Sequence, residues 1–325
     1  MRKLLAVAAA ATAAVTLTAC NAAGGASDTE QMEGLRIMVP NSPGGGYDTT
    51  ARTIAKTMEE TRLTSTVEVF NLDGAGGTVG LGRTVSEKGN GKLAMQMGLG
   101  IVGSVYTNKS PSSLADTTPI ARTVEEPEII VVPKDSKYTS IDQLIADWKA
   151  DPGAVPVGGG SSPGGPDHLA PMLTAEAVGI DPKDVNYIPY DGGGELLASI
   201  LGGKVAFGVS GVSEYLDQIE AGELRVLAVT GQQRVDGIDA PTLNEAGIDV
   251  EFTNWRGIVA PPGISDADRK ALIDVMTKMH DSPEWKEALQ ENKWNDVFLT
   301  GDKFGKYIQQ QTDEVERLLK ELGLA

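Results

Sequence analysis

Four times along this chain a short apolar run leads into a glycine-rich loop, and the loop opens a helical pattern. The loops are Asn41-Ser42-Pro43-Gly44-Gly45-Gly46-Tyr47-Asp48, Asp73-Gly74-Ala75-Gly76-Gly77-Thr78, Gly158-Gly159-Gly160-Ser161-Ser162-Pro163-Gly164-Gly165 and Tyr190-Asp191-Gly192-Gly193-Gly194-Glu195. Taken singly, each loop can be a plain turn from strand to helix. Four together also place four helix N-termini, with unpaired N–H groups and a positive dipole end, where glycine lets an anion approach the backbone. Strand patterns at 35–39, 67–70, 93–97, 129–132 and 224–229 alternate with helical patterns such as 140–150 and 212–221. That alternation predicts an α/β fold with mainly parallel sheets. Helical stripes at 265–280, capped by Ser265, and at 304–322 close the chain.

The charge balance narrows the partners. With 28 Lys and Arg against 45 Asp and Glu, the net charge is −17. A field of that sign repels nucleic acid and anionic membrane surfaces, so attraction for an anion has to be local. One Cys and two His exclude a cysteine-based metal site and leave no multi-histidine centre, so no metal and no cofactor are expected. Residues 1–20 read as a lipoprotein signal peptide. Arg2 and Lys3 precede an apolar stretch too short to span a membrane, and Leu17-Thr18-Ala19-Cys20 resembles a lipobox whose Cys20 is lipidated. Residues 21–34 read as a flexible tether. The mature chain is therefore expected outside the cytoplasm, held to the outer face of the cytoplasmic membrane through its lipid alone.

Two enzyme readings fail on chemistry. Gly160-Ser161-Ser162-Pro163-Gly164 fits G-x-S-x-G, but the nucleophile elbow uses the N–H of the next residue, and Pro163 has none. Gly74-Ala75-Gly76-Gly77-Thr78-Val79 departs from the dinucleotide pattern at Val79, and the strand that follows carries no ribose-binding acid. No catalytic residue is expected. His168 is open to two readings, a capping-turn residue or a ligand donor. So is Arg256 in Asn254-Trp255-Arg256-Gly257, as ordinary structure or as a carboxylate fork.

In order along the chain, Pro43 to Asp48 with Ala51-Arg52, Gly74 to Gly77, Gly164 to His168, Tyr190 to Glu195, Pro241-Thr242-Leu243 and Asn254 to Gly257 resemble the TctC (Bug) family, the extracytoplasmic solute receptors of tripartite tricarboxylate transporters. The resemblance implies a two-domain Venus-flytrap fold, with residues 35–132 plus 253–325 as one domain and 133–252 as the other. It implies a small carboxylate ligand in the cleft between them, transporter membrane subunits as partners, and a monomer. Carried onto this chain, the ligand-binding residues are Ser42, Gly45, Gly46 and Asp48, then Gly76, Gly77 and Thr78, then Ser161, Ser162, His168, Tyr190, Gly193 and Gly194, with Arg256 beside them. Asp48 is expected to order its loop, hold water or cap its helix. Two departures stand out: Asn41-Ser42 in place of an apolar-Pro start to the first loop, and the acid Asp191 after Tyr190. Gly192 to Glu195 resembles the tricarboxylate branch, so a citrate-like ligand is favoured. The same fold could serve a carboxylate sensor, and the remaining alternative is a secreted serine hydrolase.

Overall fold

The computed structural model describes residues 32–190 and 192–325. The chain opens with β1 (Leu35–Val39), α1 (Gly46–Glu60), β2 (Val67–Asn71), α2 (Thr78–Ser86), β3 (Leu93–Gly98) and α3 (Leu99–Thr107). There follow β4 (Thr118–Pro133), α4 (Ile141–Ala150), β5 (Val157–Gly159), α5 (Pro166–Ala177), β6 (Tyr187–Pro189), α6 (Gly193–Leu201) and β7 (Phe207–Gly211). The chain ends with α7 (Leu216–Glu220), β8 (Leu224–Val229), β9 (Thr253–Ala260), α8 (Asp266–His280), α9 (Pro283–Glu291), β10 (Asn295–Thr300) and α10 (Gly301–Glu321). Short 3-10 turns at Ala75–Gly77 and Val212–Glu214 lead into α2 and towards α7.

The strands form a path β2-β1-β3-β9-β4-β7-β5-β6, with β8 and β10 also pairing β4. It is a mixed sheet. The parallel ladders expected of strand-helix-strand units are present at β1/β2, β1/β3, β5/β6 and β5/β7. The long strand β4 runs antiparallel to all its partners, and β9 antiparallel to β3. Along β4 the partners change: Thr118 to Pro127 pair β9, and from Glu128 onward the strand pairs β7 and β8. One strand thus ties together two half-sheets.

Each half buries apolar surface on both faces. In the first, Ile37, Ile54, Met58, Met276, Trp285 and Trp294 share one cluster, while Met95, Ile101, Trp255, Phe304 and Leu319 share another. In the second half, Trp148, Val157, Phe207 and Val209 pack on one face, and Leu196, Ile200, Val212 and Tyr215 on the other. Each such fully buried apolar side chain contributes about 1.5–3 kcal/mol. Leu169 and Met172 of α5 join the cluster of β3, α3 and α10, so the halves also meet through apolar side chains. Ser265 caps α8 by accepting the Asp268 N–H at 3.1 Å, as its place before the apolar stripe predicts.

Candidate functional site

The four glycine-rich loops converge on one cavity of about 200 Å3 between the half-sheets. In the first loop, Gly44 takes a positive φ of 85° and its N–H donates to Asp48 Oδ2 at 2.9 Å. Arg52 Nε donates to the same oxygen at 2.9 Å, and Asn71 Nδ2 to Oδ1 at 2.9 Å. Burial raises the Asp48 carboxyl, but these bonds together outweigh it and hold it below its ordinary value. Ser42, Gly45 and Gly46 are left facing the cavity, and buried Asp48 braces them from behind.

The second loop turns through four consecutive positive φ values: Gly74 133°, Ala75 48°, Gly76 60° and Gly77 93°. Asn108 Nδ2 holds it from α3 by donating to the Ala75 carbonyl at 3.0 Å. A Cβ on Gly76 would lie 2.2 Å from Ser104 Oγ and 3.2 Å from Ser162 Cβ, so only glycine fits where the two halves come together. Gly76 and Gly77 line the cavity; Thr78 does not, its hydroxyl bonding back to the Ala75 carbonyl at 2.9 Å.

In the third loop, Asp167 Oδ2 accepts the Gly160 N–H at 2.6 Å, and Ser161 Oγ accepts the Asp167 N–H at 3.1 Å. Ser161 and Ser162 face the cavity. His168 is buried behind them: its Nδ1 accepts the Gly164 N–H at 3.3 Å, and Tyr187 stacks edge-on against its ring. Burial pushes the imidazole down to about 4, so it is neutral and an acceptor at neutral pH. In the fourth loop, Tyr190 and Gly192 line the cavity. Gly193 and Gly194 form the first turn of α6 beyond them, one buried and one exposed. Asp191 and Cys20 lie outside the described residues.

The floor of the cavity is what the sequence reading did not assemble. Arg256 on β9 lines it, yet its guanidinium is paired with Glu126 of β4, both side chains fully buried. Coulombic attraction from Glu126, Glu214 and Glu128 outweighs desolvation and raises Arg256 further. Ser213 also binds Glu126, through its N–H at 2.7 Å and its hydroxyl at 3.0 Å. Asp167, Glu214 and Asn254 complete the floor. Burial pushes Asp167 up to about 7 and, with the Asp167 charge added, Glu214 up to about 8. Glu128 is buried with neither carboxyl oxygen hydrogen-bonded, and burial drives it well above the ordinary carboxyl range. The available signal for this floor was the acid-rich stretch Glu125-Glu126-Pro127-Glu128 inside a strand; isolated charges there ask for buried partners.

The halves touch beside the cavity. Thr107 of α3 donates to the Pro163 carbonyl at 3.0 Å, and a Cβ on Gly103 would lie 1.8 Å from the Gly164 carbonyl oxygen. No histidine reaches Ser162: His168 is turned to Gly164, and His280 stacks on Phe298 at 4.0 Å between Asp281 and Asp296. Among the described residues no group of His, Cys, Asp and Glu could hold a metal ion, and no helix is long and apolar enough to cross a membrane.

Residues 50–324 match the family model described as TctC, tripartite tricarboxylate transporter family receptor. The chain is 30% identical over 310 residues to Protein BugT of Bordetella pertussis, covering 92% of this chain and 91% of that protein. Among solved structures it resembles the periplasmic binding protein BugD with a TM-score of 0.82 at 24% identity, over 90% of this chain and 98% of that one. It also resembles R. palustris Rpa4515 with adipate, with a TM-score of 0.81 at 23% identity, over 90% of this chain and 97% of that one.

Proposed function

Because this chain belongs to the tripartite tricarboxylate transporter receptor family, we propose that its cavity captures a small carboxylate, citrate-like acids foremost, and delivers it to transporter membrane subunits. The observation that carries this reading is the convergence of four glycine-rich, helix-opening loops from both half-sheets on one cavity. Ser42, Gly45, Gly46, Gly76, Gly77, Ser161, Ser162, Tyr190 and Arg256 serve at its wall. Asp48, Thr78 and His168 act from behind it, and Gly193 and Gly194 by opening α6. Hydrogen bonds to an ionised carboxylate contribute about 1.5–3 kcal/mol each, and a helix end about 0.3–1 kcal/mol. A few together reach micromolar affinity after association costs, with little basic charge.

Binding works by closure, and no bond is made or broken. Residues 35–132 with 253–325 form one domain and 133–252 the other; an anion that bridges loops of both favours the closed arrangement by its extra contacts there. The protein acts as a monomer, outside the cytoplasm, with Cys20 as its lipid anchor. Thermal unfolding of residues 21–325 against mono-, di- and tricarboxylates at fixed ionic strength tests the reading. A bound acid at about 100 times its Kd adds about 2.7 kcal/mol, or several degrees in Tm. A flat panel, with no small acid found on the purified protein by native mass spectrometry, would sink it.

A further inference from the structure

Glu214 reaches the cavity from the 3-10 turn after β7, and its carboxyl sits where an anion is wanted. It lies against the backbone of Gly46 at the start of α1. A Cβ on Gly46 would lie 3.0 Å from its Oε1, and one on Gly193 at the start of α6 only 2.2 Å from its Oε2. The side chain therefore lies between two of the four helix starts that the receptor reading offers to a ligand. Around it stand Asp167 from α5, Glu126 and Glu128 from β4, Arg256 from β9 and the adjoining Tyr215. The one cation among them, Arg256, is already paired with Glu126. A carboxylate brought to these helix starts meets the Glu214 carboxyl beside a guanidinium whose charge Glu126 already balances. Two carboxyls that share a site cannot both ionise, whereas one proton between them makes a strong charge-assisted hydrogen bond.

We propose that Glu214 is a ligand-binding residue that works in its protonated form, its carboxyl donating a hydrogen bond to a ligand carboxylate oxygen. This rests on the receptor reading and adds the partner group within the cavity. Asp167, which accepts the Gly160 N–H at 2.6 Å, is the better placed of the two cavity acids to keep a negative charge. Glu214, whose carboxyl is pushed up to about 8, keeps the proton at neutral pH. The cavity thus selects fully ionised acids under conditions where Glu214 is neutral, and releases them as it ionises.

Calorimetric titration of the purified protein with citrate, malate, adipate and aspartate from pH 6.5 to 9 decides it. For malate and adipate, dianions across this range, the Kd rises as the cavity acids ionise, towards tenfold per pH unit once Glu214 does. At pH 9, titrations in buffers of different ionisation enthalpy show uptake approaching one proton. Glu214→Gln keeps the side chain's shape and a permanent donor for the ligand, so its Kd stays within about threefold of the neutral-pH value up to pH 9. A level wild-type Kd to pH 9, without proton uptake, overturns the proposal. Tighter binding of aspartate than of malate at pH 6.5 overturns it too, because an ammonium would then be answering an ionised Glu214 where the proposal keeps it protonated. Failure of all four acids to bind at any pH brings down the receptor reading and this proposal together; binding without proton linkage brings down this proposal alone.

Discussion

The first loops of the two half-sheets are the same turn built from different chemistry. Ser42-Pro43-Gly44-Gly45 and Ser162-Pro163-Gly164-Gly165 each place a left-handed glycine, φ 85° at Gly44 and 89° at Gly164, before the helix. Their N-caps coincide, φ −81° and ψ 171° at Gly45 against φ −81° and ψ 173° at Gly165. In both, the left-handed glycine donates its N–H to the side chain four residues on. That side chain is Asp48 in one loop and His168 in the other. Asp48 is an ion-paired carboxylate with Arg52 and Asn71 around it; His168 is a neutral ring walled in by Tyr187. The backbone fixes the turn, and any acceptor at that position can brace it. What differs is the condition under which each brace fails.

The largest effect is expected at the N-caps. A methyl on Gly165 would lie 2.6 Å from Ser161 Oγ and 3.0 Å from the Ser162 carbonyl oxygen, whereas on Gly45 the nearest atom is the side-chain end Asn41 Nδ2 at 3.1 Å. Gly165→Ala should cost about 1–3 kcal/mol in urea unfolding, and Gly45→Ala under about 1 kcal/mol. Equal costs would mean that the loops are as alike in tightness as they are in dihedral angle.

A comparable effect is expected from acid. His168 falls from its ordinary 6.5 to about 4 in the folded chain, so between those values the unfolded state binds the extra proton. Stability from this group is full above about 6.5 and drains as pH falls towards 4, by up to about 3 kcal/mol. The raised acids Asp167, Glu214 and Glu128 slope the other way, losing stability as pH rises. The informative curve is therefore wild type minus His168→Asn, which keeps an acceptor for Gly164 but does not titrate. A level difference between pH 6.5 and 4 would break the contrast, since Asp48, held below its ordinary 3.8, should give way only in stronger acid.

The smallest effect belongs to Arg52→Ala. The Arg52 side chain is 51% exposed, so its pair with Asp48 should be worth under about 1 kcal/mol and fade with salt. Asp48 keeps the Gly44 N–H and Asn71 without it. A loss of several kcal/mol would make the ion pair, not the acceptor, the true brace.

What was legible in the sequence is what neighbours in sequence decide. The glycine runs, the Ser265 cap and the strands at 35–39, 67–70 and 93–97 stand where local pattern puts them. Strand β4 was legible only at 129–132, because Pro119, Pro127 and the charges at Arg122, Glu125, Glu126 and Glu128 break the apolar text of a buried strand. Arg122 and Glu125 answer each other within β4, and Glu126 is answered from a distance by Arg256, which stands opposite Val124 in the ladder with β9, and by Ser213. The Glu128 carboxyl is left without a hydrogen-bond partner among the described residues. The acidic cavity floor is made by that register, and no window along the chain contains it. Asp48 and His168 sit behind the wall for the opposite reason. One helical turn carries each side chain back to its own glycine, a geometry that the motif spells but that a search for ligand donors passes over.

The pairing of β3 with β9 also sets the order in which the chain can be completed. All six residues of β3 are buried, and its free edge is closed by β9, Met95 lying opposite Val259. At 5–20 residues per second a ribosome needs roughly 10–30 s to reach the second strand from the first. Until then an apolar edge stands open to any strand that passes. A fragment that stops before Thr253 should aggregate however well its earlier elements form, and the newborn chain depends on being kept apart from its copies until the residues from Thr253 onward arrive.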